Sequence, residues 1–140
     1  MLGKTEWAIV SMLTRRPQAM AKVLPVDIAY PEEKACPEPF PMIDEDFKDA
    51  PYAEHRVGAT DIDMARHMNN VAYVRAIVNS FSLKEWKKLG VNAMDVIFRA
   101  SAHESDVLRF QKRIRGSSMD IRGSLPDGTT IVLARLELAR

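Results

Sequence analysis

From residue 52 onward, hydrophobic and polar positions alternate regularly enough to predict a folded domain. The clearest period is helical: residues 71–86 are predicted to form one helix whose apolar stripe consists of Val71, Val74, Ile77, Val78 and Phe81. Asn69 and Asn70 stand at its start, where side-chain oxygens can cap free backbone N–H groups. Gly90 is expected just past the end of the helical region, as a C′ residue.

A period of two predicts the strands around this helix. One short strand is expected at residues 55–59, and four more at residues 94–100, 108–114, 119–125 and 130–138. Within these, Leu108, Phe110 and Ile114 are predicted to share one face, as are Met119, Ile121 and Leu125. The sequence Pro126-Asp127-Gly128 has hairpin-turn chemistry. One strand, one long helix and an antiparallel meander together predict an α+β domain with the helix on one face of the sheet.

The first third of the chain is different. Residues 5–14 favour a strand, with an amphipathic helix as the competing interpretation. Residues 17–51 contain every proline except Pro126, and also the acidic run Asp44-Glu45-Asp46. No regular element can run far through such a stretch, so a long connector draped over the surface is expected.

Composition narrows the function classes. The chain has 140 residues, 46% of them hydrophobic, and a net charge of +1, which fits one ordinary globular domain. This balance gives no reason to expect nucleic acid or a membrane as partner. The single cysteine, Cys36, allows no internal disulfide and is expected to be a bystander thiol. The chain is therefore expected to be cytoplasmic.

Candidate chemistry lies in residues 61–73. Asp63 and His67 are four residues apart where the helix is predicted to begin, and an acid with an imidazole there could serve general acid–base or nucleophilic catalysis. Backbone N–H groups around residues 67–70 could hold an oxyanion. Helix capping and ordinary structural roles are the competing interpretation of the same residues. The three histidines lack metal-site spacing, and no glycine-rich phosphate loop is present.

The pattern Asp-x-Asp-x-x-x-His-x-Asn-Asn-x-x-Tyr, followed by an apolar helix and a meander, resembles the acyl-ACP thioesterase family. It resembles more loosely the small acyl-CoA thioesterases of the 4-hydroxybenzoyl-CoA type. The resemblance implies a hot-dog fold, an antiparallel sheet wrapped around one long central helix. It also implies hydrolysis of fatty acyl thioesters on acyl-carrier protein or CoA, without metal or cofactor. The implied catalytic residues are Asp63 and His67, and the implied substrate-binding residues are Met68, Asn69 and Asn70.

Members of this family carry two hot-dog repeats, and the resemblance implies a division of this chain. Residues 1–17 are similar to the closing strand of a first repeat, residues 18–51 would be the linker, and residues 52–140 the second, catalytic repeat. The chain is then a fragment, the product of a misassigned start, or a genuine single-repeat protein. A lone hot-dog unit leaves a sheet edge open, so a homodimer or higher homo-oligomer is expected.

Two positions depart from the family pattern. Ala65 stands where the acyl-ACP enzymes place an asparagine, and Ser101-Ala102 where they place a Glu-Cys pair. His103 and Glu104 follow closely, as substitutes for the missing groups or as ordinary surface residues. These departures motivate a second hypothesis. The protein would then be a catalytically decayed hot-dog module that binds acyl chains or forms one half of a larger hot-dog assembly.

The basic residues Arg109, Lys112, Arg113 and Arg115 permit two interpretations. They form a solvated strand face, or they anchor the phosphates of CoA or of a phosphopantetheine arm.

Overall fold

The computed structural model describes residues 3–6, 8–14, 16–19, 22–23 and 38–139. The chain divides into two compact units, residues 1–39 and 40–140. Trp7, Cys36 and much of the proline-rich stretch lie outside the described residues, and the expectations for them stay predictions. The same holds for the three-part division of the chain.

The first unit contains a small antiparallel hairpin of β1 (Ile9–Val10) and β2 (Pro17–Gln18). The Ser11 N–H donates to the Arg16 carbonyl oxygen at 3.0 Å, and the Ser11 hydroxyl accepts the Thr14 N–H at 3.2 Å. Because these bonds turn the chain back, the strand expected at residues 5–14 is formed only at Ile9–Val10 in the part described. The competing helix is not formed there.

The second unit contains a five-stranded sheet. In chain order its strands are β3 (Ala53–Arg56), β4 (Val91–Phe98), β5 (Val107–Arg115), β6 (Ser118–Ser124) and β7 (Thr130–Leu138). In space they lie in the order β3-β5-β6-β7-β4, and every neighbouring pair is antiparallel. The predicted strands are therefore confirmed. The meander is confirmed for β5, β6 and β7 only, because β4 pairs with β7 at the far edge of the sheet.

The turn between β6 and β7 has the predicted chemistry. The Asp127 carboxylate accepts the Thr129 N–H at 2.9 Å, and Gly128 has a φ of +90°. The Leu125 N–H donates to the Thr129 carbonyl oxygen at 2.9 Å and closes the hairpin.

The helical region is two helices rather than one: α1 (Asn70–Asn79) and α2 (Leu83–Leu89). The prediction of a single long helix was wrong because Ser82 starts a new one. Its hydroxyl accepts the Glu85 N–H at 3.2 Å, while the Glu85 carboxylate accepts the Ser82 N–H at 2.8 Å. This reciprocal capping box was readable in the sequence as Ser-x-x-Glu. Gly90 ends α2 at a φ of +57°, so the predicted terminator is confirmed.

One face of the sheet packs against α1 to form the main core. The buried residues of α1 are Ala72, Tyr73, Ala76 and Ile77. The predicted stripe is therefore correct for Ile77 and for Phe81, which follows the helix and is buried in the same core, but wrong for Val71, which is 64% exposed.

The strand faces follow the prediction more closely. Leu108 and Phe110 of β5 are fully buried in the same core, as is Ile121 of β6. Ile114 was expected with them but is 68% exposed, because it lies at the hairpin end of β5 beside the exposed Gly116.

Residues 40–49, which we call the strap, cover the opposite face of the sheet. Ile43 and Phe47 are buried against Leu133 of β7, and Ile97 of β4 packs beside them. This second, smaller cluster gives both faces of the sheet an apolar cover near β7 and β4.

Polar bonds hold the strap as well. The Arg113 guanidinium donates to the carbonyl oxygens of Asp46 at 2.6 Å and Asp44 at 3.1 Å. The Gln111 amide donates to the Asp49 carbonyl oxygen. Side chains of β5 thus bind backbone carbonyl oxygens of the strap and hold it to the sheet.

Beneath the strap lies a fully buried carboxylate, Asp120. Arg135 donates to both of its oxygens, at 2.7 and 3.1 Å, and Arg113 donates to Oδ2 at 3.3 Å. Burial alone would raise the pKa of Asp120, but the hydrogen bonds and positive charges of Arg135 and Arg113 outweigh it and hold the pKa below its ordinary value.

We expect Asp120→Asn to lower the free energy of unfolding at neutral pH by roughly 3 kcal/mol, because it removes the fully buried charge that Arg135 and Arg113 bind. The folded-state pKa of Asp120 is lowered. The stabilisation of the folded state by the ionised carboxylate is therefore fully present above its unfolded-state pKa of about 3.9, and it is lost as the pH falls through the folded-state pKa. Urea unfolding at pH 7 and pH 3 should show the difference between variant and parent shrinking in acid. The control is Asp127→Asn, whose amide oxygen can still accept the Thr129 N–H. Equal stability of Asp120→Asn and parent at pH 7 would contradict this.

Candidate functional site

Two loops meet at the N-terminal end of α1. Residues 61–69, the motif loop, lead into the helix, and residues 99–106, the second loop, join β4 to β5. The Met68 N–H donates to the Ala102 carbonyl oxygen at 2.8 Å, and the Ala102 N–H donates to the Tyr73 hydroxyl at 2.8 Å. Both ends of these bonds are buried, so they fix the two loops to each other and to the helix.

The motif loop is a tight turn organised by Asp63. The Asp63 N–H donates to the His67 carbonyl oxygen at 3.0 Å, and the Asp63 carbonyl accepts the Arg66 N–H at 3.0 Å. Its side-chain Oδ1 accepts the N–H groups of Ala65 at 2.8 Å and His67 at 3.5 Å. Among the described residues, the other carboxylate oxygen, Oδ2, has no hydrogen-bond partner. The exposed Asp63 carboxylate is thus half structural and half available for chemistry.

His67 and His103 lie side by side. Their ring centroids are 5.0 Å apart in an edge-to-face arrangement, and His103 Nδ1 lies 3.3 Å from the Arg66 carbonyl oxygen. The sequence offered His103 and Glu104 either as substitutes for missing family groups or as surface residues. The structure brings His103 to the motif loop, whereas Glu104 has no polar contact among the described residues.

The backbone of both loops is strained. Among the described residues other than glycine, Arg66 and Ser105 have a positive φ, at 62° and 72°. Arg66 presents its carbonyl to His103, and Ser105 lies within the turn that the Asp106 carboxylate closes on the His103 N–H at 2.8 Å. Strain of this kind persists where surrounding bonds enforce it, and it concentrates at functional sites.

Asp61, the first acid of the motif, anchors the motif loop. Its Oδ2 accepts the Gly58 N–H at 3.0 Å and contacts His55 Nε2 at 2.9 Å, while Oδ1 lies 3.6 Å from Arg75. Burial alone would raise its pKa, but the Gly58 and His55 hydrogen bonds, with the charges of His55 and Arg75, hold the pKa below its ordinary value. The Asn69 N–H donates to the Asp61 carbonyl oxygen at 2.8 Å. Sequence reasoning missed these partners because β3 and α1 meet only in the fold.

The three residues expected to bind substrate differ in their exposure and in their structural roles. Met68 is buried in the core, and Asn69 is the N-cap of α1, its side-chain oxygen accepting the N–H groups of Val71 at 2.8 Å and Ala72 at 3.3 Å. Asn70 is exposed at the first helical position. The capping alternative is thereby confirmed for Asn69, and a substrate-binding role for the three residues stays a prediction.

Most of the backbone N–H groups of residues 67–70, which were expected to bind an oxyanion, already donate to other oxygens. Those of Met68 and Asn69 are already bonded to carbonyl oxygens, and that of His67 makes a long contact with Asp63. The Asn70 N–H is one of the first four of the helix, which have no intrahelical acceptor.

The basic residues of β5 do not all face the same way. Arg109 pairs with Glu54 at 3.0 Å, and Arg113 and Arg115 face Asp120 under the strap. Lys112 points to the helix side, with Nζ 4.3 Å from the centre of the Tyr52 ring.

Across the described ranges, no three His, Cys, Asp or Glu side chains are grouped so that they could hold a metal ion. No helix among those residues has both the length and the apolarity needed to cross a membrane.

The fold has counterparts among solved structures. An acyl-ACP thioesterase from Bacteroides thetaiotaomicron VPI-5482 superposes with a TM-score of 0.65 at 14% identity, over 93% of this chain and 53% of that one. The protein SAV2348 from Staphylococcus aureus, solved in complex with CoA, gives 0.55 at 17% identity, over 63% and 73% of the two chains. The Escherichia coli PaaI protein from the phenylacetic acid degradation operon gives 0.52 at 17% identity, over 62% and 72%.

The sheet with its helices on one face is thus an α+β hot-dog fold of the thioesterase type. The family model of the acyl-ACP thioesterase C-terminal domain matches residues 44–130, and the chain belongs to that family. The chain spans about half the length of the Bacteroides enzyme that it matches. A search of curated protein sequences found no match.

Removing the Tyr73 hydroxyl should loosen the link between the two loops. Tyr73→Phe leaves the buried Ala102 N–H without an acceptor, so we expect the free energy of unfolding to fall by about 1–3 kcal/mol and the Ala102 amide to exchange faster. Tyr52→Phe is the control, because its hydroxyl is part-buried and its partner, Ser80, keeps a bond to the Ile77 carbonyl. Unchanged exchange at Ala102, measured by NMR, would refute the role assigned to Tyr73.

Proposed function

We propose that the protein hydrolyses fatty acyl thioesters, carried on acyl-carrier protein or CoA, to the free acid and the thiol. The observation that carries this proposal is the exposed pair of Asp63 and His67 on the motif loop at the start of α1, in a chain of the acyl-ACP thioesterase C-terminal domain family. The carrier is left open, because family membership supports thioester hydrolysis in general.

In the proposed reaction, water adds to the thioester carbonyl carbon, the carbon–sulfur bond breaks, and the sulfur leaves as a thiol after taking up a proton. Asp63 acts through Oδ2, since Oδ1 is held by the Ala65 and His67 N–H groups. As general base it takes the proton of that water; as nucleophile it would instead add to the carbonyl carbon, expel the thiol and form an acyl anhydride that water then hydrolyses. His67 is the polar partner of Asp63. The Asn70 N–H, with the positive end of the α1 dipole, is the best-placed donor for the oxyanion.

The assembly is also a proposal. The Bacteroides enzyme aligns with nearly all of this chain but extends well beyond it. We therefore propose that residues 1–17 correspond to the end of a first hot-dog repeat and residues 52–140 to a second. A homodimer would supply the missing half where this chain acts alone. The expected cytoplasmic location stays a prediction.

The test is release of free thiol from a panel of acyl-ACP and acyl-CoA substrates. Asp63→Asn and His67→Ala should each lower kcat by about 10²-fold or more, because each removes a group proposed to act on the reacting atoms. The matched control is Asp127→Asn in the β6–β7 turn, with activity expected to stay at the parent level. Hydrolysis that survives both site substitutions undiminished would rule out the proposed site.

A second candidate function is favoured by two residues. Ala65 is exposed and without a polar side chain on the motif loop, and Ala102 is fully buried where the family pattern has a thiol. A catalytically decayed module would bind fatty acyl ligands without turning them over. Calorimetric binding of a non-hydrolysable acyl-thioether analogue, together with no thiol release, would select this function over hydrolysis.

A further inference from the structure

We infer that His103 is a second catalytic imidazole of this site, accepting the proton of the attacking water at Nε2. The inference rests on the proposed hydrolysis and adds to it a residue from the second loop. Its starting point is the contact of the His103 ring with the His67 ring, at a centroid distance of 5.0 Å.

The tautomer of His103 follows from its partner. A backbone carbonyl oxygen can only accept a hydrogen bond, so the contact of Nδ1 with the Arg66 carbonyl at 3.3 Å requires the proton on Nδ1. In the neutral ring the lone pair then lies on Nε2, which has no partner among the described residues. An exposed imidazole held in this way is ready to accept a proton.

The position of the ring is enforced from both loops. Arg66 adopts its strained φ of 62° where it presents the carbonyl, and the Asp106 carboxylate holds the His103 backbone N–H at 2.8 Å. The Ser105 N–H donates to the Val57 carbonyl at 2.9 Å and ties this turn to the segment after β3. An ordinary surface histidine needs none of these constraints.

His67 and Arg66 of the motif loop contact the His103 ring, and Asp106 of its own loop holds its backbone N–H. When water adds to the thioester carbonyl, its proton passes to Nε2 of His103. The resulting imidazolium returns that proton to the sulfur as the carbon–sulfur bond breaks. In this form of the reaction His103 replaces Asp63 as the general base, and the ionised Asp63 orients the attacking water through Oδ2.

Two substitutions separate catalysis from positioning. In His103→Asn the side-chain amide can donate to the Arg66 carbonyl as Nδ1 does, but nothing replaces Nε2. We expect His103→Asn and His103→Ala to lower kcat by roughly 10²-fold with KM nearly unchanged, and free imidazole to restore part of the rate of His103→Ala. Glu104→Gln, the next residue along the loop, is the matched control and should keep the parent kcat.

The outcomes are distinguishable. A parent-like kcat in His103→Asn reduces His103 to a structural donor and overturns the inference, while the proposed hydrolysis stands if Asp63→Asn and His67→Ala are inactive. Absence of thiol release by the parent protein overturns both. An activity-independent check is ¹⁵N NMR of labelled histidines, in which neutral His103 should carry its proton on Nδ1. A proton on Nε2 would likewise overturn the inference.

Discussion

Ala102 has no functional side chain, yet both of its backbone groups are committed inside the protein. Its carbonyl holds Met68 and its N–H is held by the Tyr73 hydroxyl. Leaving one of these buried peptide groups without a hydrogen bond would cost about 1–3 kcal/mol. The motif loop, the second loop and α1 are therefore held together at Ala102. The contact between the His67 and His103 rings depends on these bonds at Ala102, and so do the positive-φ turns beside the rings.

The sequence predicted most strands and turns correctly because the signals for these elements are local. Alternation predicted the strands of the meander, Pro126-Asp127-Gly128 predicted the hairpin, and Gly90 predicted the end of the helical region. The error of one long helix came from reading apolar spacing without the Ser82–Glu85 capping box, which was equally local. The misplaced stripe has a different cause: Ala72 and Ala76 face the core because small side chains let the helix approach the sheet, and hydrophobicity alone does not rank them above Val71.

The site was predictable only in part. Asp63 and His67 were proposed from the sequence because the motif is contiguous, and their catalytic role stays a prediction, whereas Asn69 was correctly given a capping alternative. The approach of His103 to His67, and of His55 to Asp61, depends on how β3, α1 and the loop after β4 are arranged in space. No spacing rule within a single segment contains that information. The same applies to Asp120, whose arginine partners come from β5 and β7.

The strand order has a consequence for how the domain forms. β7 is the last of the five strands in sequence, yet it lies between β6 and β4 and also carries Arg135 and Leu133, on which the strap rests. During synthesis, β4 therefore has no partner strand, and Ile43 and Phe47 of the strap lack Leu133, the residue they are buried against, until β7 has been made. The sheet depends on long-range pairing, which slows folding relative to a helical bundle of the same length. The edge of β4 is consequently the part of this domain most exposed to mispairing while the chain is still incomplete.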